Sequence, residues 1–268
     1  MKQPLPTDTP DFLWLHLRDL PYFRGMLRAV ESAFYQEYHL DTPVLDLGCG
    51  DGHFASLTFA QPLDVGIDPW TGPIRAARER TCYRLLVQGD GAKMPFPDGF
   101  FASGLSNSVL EHIPHIDAVL AETGRVLRPG AQFLFCVPNP RYLSELAVPQ
   151  VLRRAGLAKL GENYRSWFKR VTRVHHLDDA PVWTERLKRA GFAMEKSWDY
   201  FSPAAMRTLE MGHYFGAPTL LPHFLFRRWI LVPARWNLAL TMRYVRKHAL
   251  AEPHPQGVFT FYQARKTK

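Results

Sequence analysis

The chain has 268 residues, of which 46% are hydrophobic, 22% charged and 13% aromatic; this is enough apolar material for one large domain with inserts and too much for a disordered polymer. Cys49, Cys82 and Cys136 stand apart without a CxxC pair, which excludes a disulfide scaffold or a cysteine metal framework and fits a reducing compartment. The formal charge of +8 is uneven: 11 basic minus 16 acidic residues gives −5 for residues 1–140, and 22 minus 9 gives +13 for residues 141–268, so the second half either meets something anionic or presents a basic solvated face.

Residues 1–10 carry Pro and Thr but no apolar run, so no secretory signal is expected and the chain is expected in the cytoplasm. Over residues 22–38, Phe23, Met26, Leu27, Val30 and Phe34 recur at spacings of three and four, the stripe of an amphipathic helix within an N-terminal helical cap spanning residues 1–43. The apolar run 44–47 then enters Gly48-Cys49-Gly50-Asp51-Gly52, which predicts a buried strand, a glycine turn and a helix. Further strands are predicted at 63–67 ending at Asp68, at 83–87 ending near Asp90, around Gly104 and Leu105, and at 132–137 after the turn Arg128-Pro129-Gly130. Helical segments alternate with them, which argues for a parallel sheet covered on both faces. Asp178 and Asp179 before Pro181, with Gly191 at the far end, delimit a helix; a strand at 192–198 follows, and the alternation Val258-Phe259-Thr260-Phe261-Tyr262 closes the pattern. The organisation is therefore a core at 44–139, an insert at 140–174, a core helix and strand at 175–199, a basic aromatic insert at 200–256 and a terminal strand at 257–268.

The segment from Val44 to Phe54, an acidic residue two positions before GxGxG, resembles the first motif of class I S-adenosylmethionine-dependent methyltransferases, small-molecule enzymes of the ubiquinone and menaquinone methyltransferase kind. The physics agrees. Glycines let the backbone approach a ligand, and Asp46 can accept from an ammonium group, which S-adenosylmethionine has and a pyrophosphate lacks. A dinucleotide fingerprint wants GxGxxG, but the third glycine, Gly52, comes one residue early and His53 takes its place. An Asp beside Gly or Pro is commonly a cap or turn former, so it is the ordered series of motifs that carries the resemblance.

The resemblance implies that Gly48, Gly50 and Gly52 form the cofactor loop and that Asp68, about 20 residues on, holds both ribose hydroxyls. Pro69 and Trp70 follow it, with Trp70 packing on the adenine. Gly89-Asp90-Gly91-Ala92 resembles the third-strand motif, with Asp90 reading the adenine amine and Gly91 meeting the ring. The run from Ser106 to Ile113 resembles the fourth-strand segment and puts Ser106 and Asn107 at the cofactor. The implied architecture is α/β: a doubly wound, Rossmann-like sheet of seven strands with the last antiparallel, and helical inserts covering the cofactor face. The implied cofactor is S-adenosyl-L-methionine, with S-adenosyl-L-homocysteine as product.

Ligands of such sheets bind outside the carboxyl ends of the parallel strands. Both inserts leave from those ends and hold most of the basic excess, which favours a small-molecule acceptor of anionic or lipid-like character. Aromatic residues from Tyr142 to Trp229 serve as pocket walls or, for most of them, as the inserts' own core. Residues 220–245 are too charged to span a bilayer, with Pro222 and Pro233 interrupting any long helix, and read as a peripheral membrane contact. His112, His115, His175 and His176 are the candidate bases, His112 following the fourth strand, near the methyl group by the resemblance, and His175 and His176 beginning the segment after the first insert; a base is required only where the acceptor retains a proton. No rigid ligand spacing points to a metal. The basic charge also raises an RNA methyltransferase, but no appended RNA-binding module or Asn-Pro-Pro-Tyr-like tetrad is present, so nucleic acid is not expected as a partner. A noncatalytic relative that keeps the cofactor site is the other alternative; nothing in the sequence sets the oligomeric state.

Overall fold

A computed structural model describes residues 10–267, so residues 1–9 of the expected cap lie outside it. The cap begins with α1 (Phe12–Leu17), whose start is held by Asp11 accepting from the Trp14 amide at 3.2 Å. Pro21 precedes α2 (Tyr22–Tyr35), whose stripe buries Met26, Ala29, Val30 and Phe34. This helix stops three residues before the predicted limit, where Gln36 and Glu37 are exposed.

The core then runs β1 (Val44–Leu47), α3 (His53–Thr58), β2 (Leu63–Asp68), α4 (Thr71–Arg80), β3 (Tyr83–Gln88), β4 (Phe101–Asn107), α5 (Ile116–Val126) and β5 (Leu127–Pro138). The first insert is α6 (Arg141–Ser144), α7 (Ala147–Arg154) and α8 (Ala158–Val171). The chain returns to the core as α9 (Ala180–Arg189) and β6 (Phe192–Tyr200), departs again as α10 (Pro203–Phe215), α11 (Leu220–Phe226) and α12 (Arg235–Arg246), and closes with β7 (Phe259–Lys266). Asp179 caps α9 by accepting from the Val182 amide at 3.2 Å, as the Asp-before-Pro pattern predicts.

The seven strands form one sheet in the order β3-β2-β1-β4-β5-β7-β6, and β7 runs antiparallel to both of its neighbours. Side-chain alternation sorts each strand onto two cores. On β7, Phe259 and Phe261 join Phe34, Tyr35 and Tyr200 on one face, while Tyr262 and Ala264 join Phe133, Phe135 and Trp183 on the other. One departure from the predicted pattern lies at Arg128-Pro129-Gly130. Instead of a turn before the fifth strand, this exposed stretch bulges from a continuous β5, with Leu127 paired to Phe101 and Gln132 already paired to Ser103.

The aromatic residues of the second insert divide. Tyr200 and Phe201 are buried as expected of a core, but Phe215, Phe224 and Phe226 are 72%, 77% and 60% exposed, which corrects the assignment of those three to the insert's own interior.

Candidate active site

The turn after β1 shows why its sequence is glycine-rich. Gly48 has φ +79° and a Cβ there would fall 2.3 Å from Val109 Cγ1, so it needs both left-handed freedom and the absence of a side chain. Gly50, φ +56°, has open space where a Cβ would stand. The turn, the ends of β2 and β4 and the segment after β3 surround a cleft of about 730 Å³ at the carboxyl edge of the sheet.

Of the predicted positions, Asp46, Gly48, Gly50, Asp68, Pro69, Trp70, Asp90, Gly91, Asn107 and His112 line this cleft together. Gly52 sits behind the turn at the N-cap of α3, and Ser106 is fully buried, donating to the Leu47 carbonyl at 2.8 Å; neither reaches the lining. Both fix the turn and strand rather than face the cleft. Of the remaining candidate bases, His115 also lines the cleft. His175 faces a neighbouring cavity of about 700 Å³ with Lys169, Arg170 and Arg173. The ring of His176 is engaged elsewhere, its Nε2 at 3.0 Å from the Ile113 carbonyl and its Nδ1 at 3.7 Å from Asp178.

The carboxylates of the cleft differ in burial and in hydrogen-bond partners. Asp46 is buried, and that burial pushes its pKa up to about 7 even though Tyr83 donates to it at 2.6 Å and favours the ionised form. Asp68 is raised too, again by burial, against the amides of Trp70 (2.9 Å) and Gly50 (3.1 Å) that donate to its two oxygens. Asp90 is exposed and accepts from the Ala92 amide at 2.9 Å, with His115 Nε2 at 3.7 Å. The turn-forming role expected of such an Asp is therefore real, and it leaves Asp90 in the cleft lining as well. Trp70, 69% exposed, presents a bare ring at the cleft's edge.

Several residues of the site gave no motif. α2 carries Glu31, fully buried, which accepts from Arg28 (2.9 Å), Asn107 Nδ2 (2.8 Å), Ser108 Oγ (2.7 Å) and the Tyr200 hydroxyl (3.1 Å). This network pins the end of β4 to the helical cap. A glutamate four after Leu27 and three before Phe34 lies on the apolar stripe, and that position was the available signal. Arg24, Arg28 and Leu20 add a wall to the cleft from the cap, while α8 and α10 of the inserts line adjoining cavities. His112 stands where these cavities meet. Its Nδ1 is 3.0 Å from the Arg173 carbonyl, and burial lowers its pKa, which keeps the imidazole neutral at pH 7.

Residues 45–135 match the family model described as a methyltransferase domain. Over that segment the chain carries a methyltransferase domain similar to those of the class I S-adenosylmethionine-dependent methyltransferases. The chain is 39% identical over 104 residues to the fatty-acid O-methyltransferase of Mycolicibacterium smegmatis, covering 37% of this chain and 38% of that one. It is 35% identical over 94 residues to the demethylmenaquinone methyltransferase of Corynebacterium kroppenstedtii, covering 35% and 40%. It thus spans about two fifths of the length of these curated relatives. An S-adenosylmethionine-dependent methyltransferase from Thermotoga maritima superposes over 91% of both chains with a TM-score of 0.56 at 15% identity, a likeness of fold alone. The cofactor of such domains is S-adenosylmethionine, and the cleft fits it chemically: a glycine turn flanked by carboxylates suits a cationic nucleoside, since a pyrophosphate would face Asp46, Asp68 and Asp90 together.

Proposed function

We propose that the whole protein transfers a methyl group from S-adenosylmethionine to a small, amphiphilic acceptor. The observation that carries this reading is the convergence of Asp46, the Gly48–Gly50 turn, Asp68 and Asp90 on one cleft outside the carboxyl ends of parallel strands. In this reading Asp46 accepts from the methionine ammonium, Asp68 from the ribose hydroxyls and Asp90 from the adenine amine, with the Gly91 amide meeting the ring. Pro69 and Trp70 cover the adenine. Asn107 shapes the floor, and Gly52 and Ser106 act through the backbone they hold.

When bound, the cofactor supplies an electrophilic methyl group on a sulfonium, so the chain's task is alignment. Of the histidines, His112 is the one we assign to the reacting groups, as a neutral imidazole able to take a proton from an acceptor that still holds one. His175 faces the neighbouring basic cavity and His176 is occupied by structural contacts. A calorimetric titration with S-adenosylhomocysteine and with NAD tests the reading: binding of the first alone supports it, and binding of NAD alone overturns it.

The lipid-like character of the acceptor is supported by the outer surface of the second insert, which we assign to contact with an anionic bilayer. Leu220, Leu221, Phe224, Trp236 and Leu240 are 57–81% exposed, an unusual density for a solvated face. No Asp or Glu stands between Glu210 and Glu252, while Arg227, Arg228 and Arg243 do. Apolar side chains beside uncompensated arginines match the two layers of an anionic membrane interface. Among the described residues no helix is long and apolar enough to cross a membrane.

A further inference from the structure

Beside the cofactor cleft lies a smaller cavity of about 150 Å³, which shares Arg24, Arg28 and His112 with it. Much of its wall is apolar, including Phe23, Leu27, Leu209 and Phe259. Glu111 is buried in this wall at 3% exposure, and its Oε2 has no hydrogen-bond partner among the described residues. Its Oε1 stands 3.6 Å from His112 Nε2. A buried polar atom without a partner costs about 1–3 kcal/mol, which a ligand supplying that partner recovers. Arg24 makes no ion pair or hydrogen bond with a described side chain, whereas Arg28, one turn later, is committed to Glu31 and to the Asn107 carbonyl at 3.2 Å. The cavity thus has a buried carboxyl with an unpartnered oxygen in its apolar wall and, at its solvent-exposed margin, an arginine without a described ion pair.

We propose that this cavity receives the reacting end of the methyl acceptor and that this end is the carboxylate of an apolar chain, paired with Arg24 and hydrogen-bonded by Glu111. The inference rests on the cleft being the S-adenosylmethionine site. Burial pushes the pKa of Glu111 up to about 8, so at pH 7 it keeps its proton and donates to a carboxylate instead of repelling it. The groups facing it are Arg28 and Glu31 from α2, His112 beside it, Tyr142 from α6, Cys136 from β5 and His213 from α10. His112 and His213 are both lowered by burial and stay neutral above pH 7, which leaves Glu111 as the group that changes charge near pH 8. In the transfer, a carboxylate oxygen forms the bond to the methyl carbon while the carbon–sulfur bond breaks with its electron pair on sulfur. The anion and the sulfonium give a neutral ester and a neutral thioether, and no proton needs a base.

The test is calorimetric titration of the full chain, saturated with S-adenosylhomocysteine, with hexanoate and with hexan-1-ol at pH 6.5 and 9. Hexanoate is expected to bind at least about tenfold more tightly than the alcohol at pH 6.5, and to lose about tenfold by pH 9 as Glu111 ionises. Glu111→Gln should keep the preference and abolish its pH dependence. Arg24→Gln, at an exposed position that tolerates the change, should abolish the preference at both pH values. Equal binding of acid and alcohol by the loaded wild type overturns the proposal, as does an unaltered preference in Arg24→Gln or an unaltered pH dependence in Glu111→Gln. Failure to bind S-adenosylhomocysteine at the outset would instead overturn the reading of the cleft itself.

Discussion

Replacing Asp68 with alanine is the sharpest test of the cofactor geometry, because the structure gives this side chain two separable jobs. Its oxygens accept from the amides of Gly50 and Trp70, and it lines the cleft where the ribose is assigned. Removing it frees two amides at the cleft's edge, where water can replace the lost acceptor, so the folding cost should stay near about 1–2 kcal/mol. Cofactor binding should suffer more. Two hydrogen bonds from ribose hydroxyls to a carboxylate, at about 1.5–3 kcal/mol each, amount to at least about 3 kcal/mol, or more than a hundredfold in affinity. The assay is a calorimetric Kd for S-adenosylhomocysteine alongside a thermal melt. A 2′,3′-dideoxy analogue completes the cycle: its affinity should fall little on mutation, since it lacks the groups that Asp68 is assigned to hold. A Kd within threefold of wild type in a folded Asp68→Ala protein would refute the ribose assignment. An equal loss for the dideoxy analogue would show that Asp68 acts only through the Gly50 turn.

The buried Asp46 makes cofactor binding pH-dependent: its folded pKa of about 7 lies above an ordinary Asp near 4, so stability without cofactor declines as pH rises between those values. An ammonium partner prefers the ionised carboxylate, so affinity for S-adenosylmethionine should climb through about pH 7 and level off; Asp46→Asn should flatten the titration curve and Tyr83→Phe should move it to higher pH. Gly48→Ala combines a left-handed φ with a 2.3 Å approach to Val109, which predicts a loss of about 2–5 kcal/mol by denaturant melting; adding Val109→Ala should restore only the packing part. For the membrane surface, Trp236→Glu should abolish cosedimentation with anionic vesicles while leaving S-adenosylhomocysteine affinity unchanged, and retained cosedimentation would remove residues 220–245 from the interface.

The first half of the chain was legible because its glycine turn constrains backbone and side chain at once. Gly48 must be glycine for two independent reasons, and Asp46, one residue before the end of β1, and Asp68, at the end of β2, reach the same cleft. Such constraints leave fixed spacings that can be read without coordinates. The β5 bulge was misread because Arg-Pro-Gly satisfies a turn and an exposed bulge equally well, and only the pairing of Leu127 with Phe101 distinguishes them.

The acceptor side leaves no comparable spacing because its parts come from unconnected segments. Arg24 and Arg28 belong to α2, Glu111 and His112 follow β4, and Leu209 and His213 sit on α10. Nothing local demands those residue types, so each taken alone reads as an ordinary helical or loop residue. Glu31 is the exception that joins the two halves: a carboxylate on an apolar stripe is costly unless partnered, and its partners include Asn107 at the cleft and Arg28 at the smaller cavity. The network therefore holds the wall common to both spaces, and a change at Glu31 should disturb cofactor and acceptor binding together, whereas Arg24→Gln should weaken acceptor binding by more than cofactor binding.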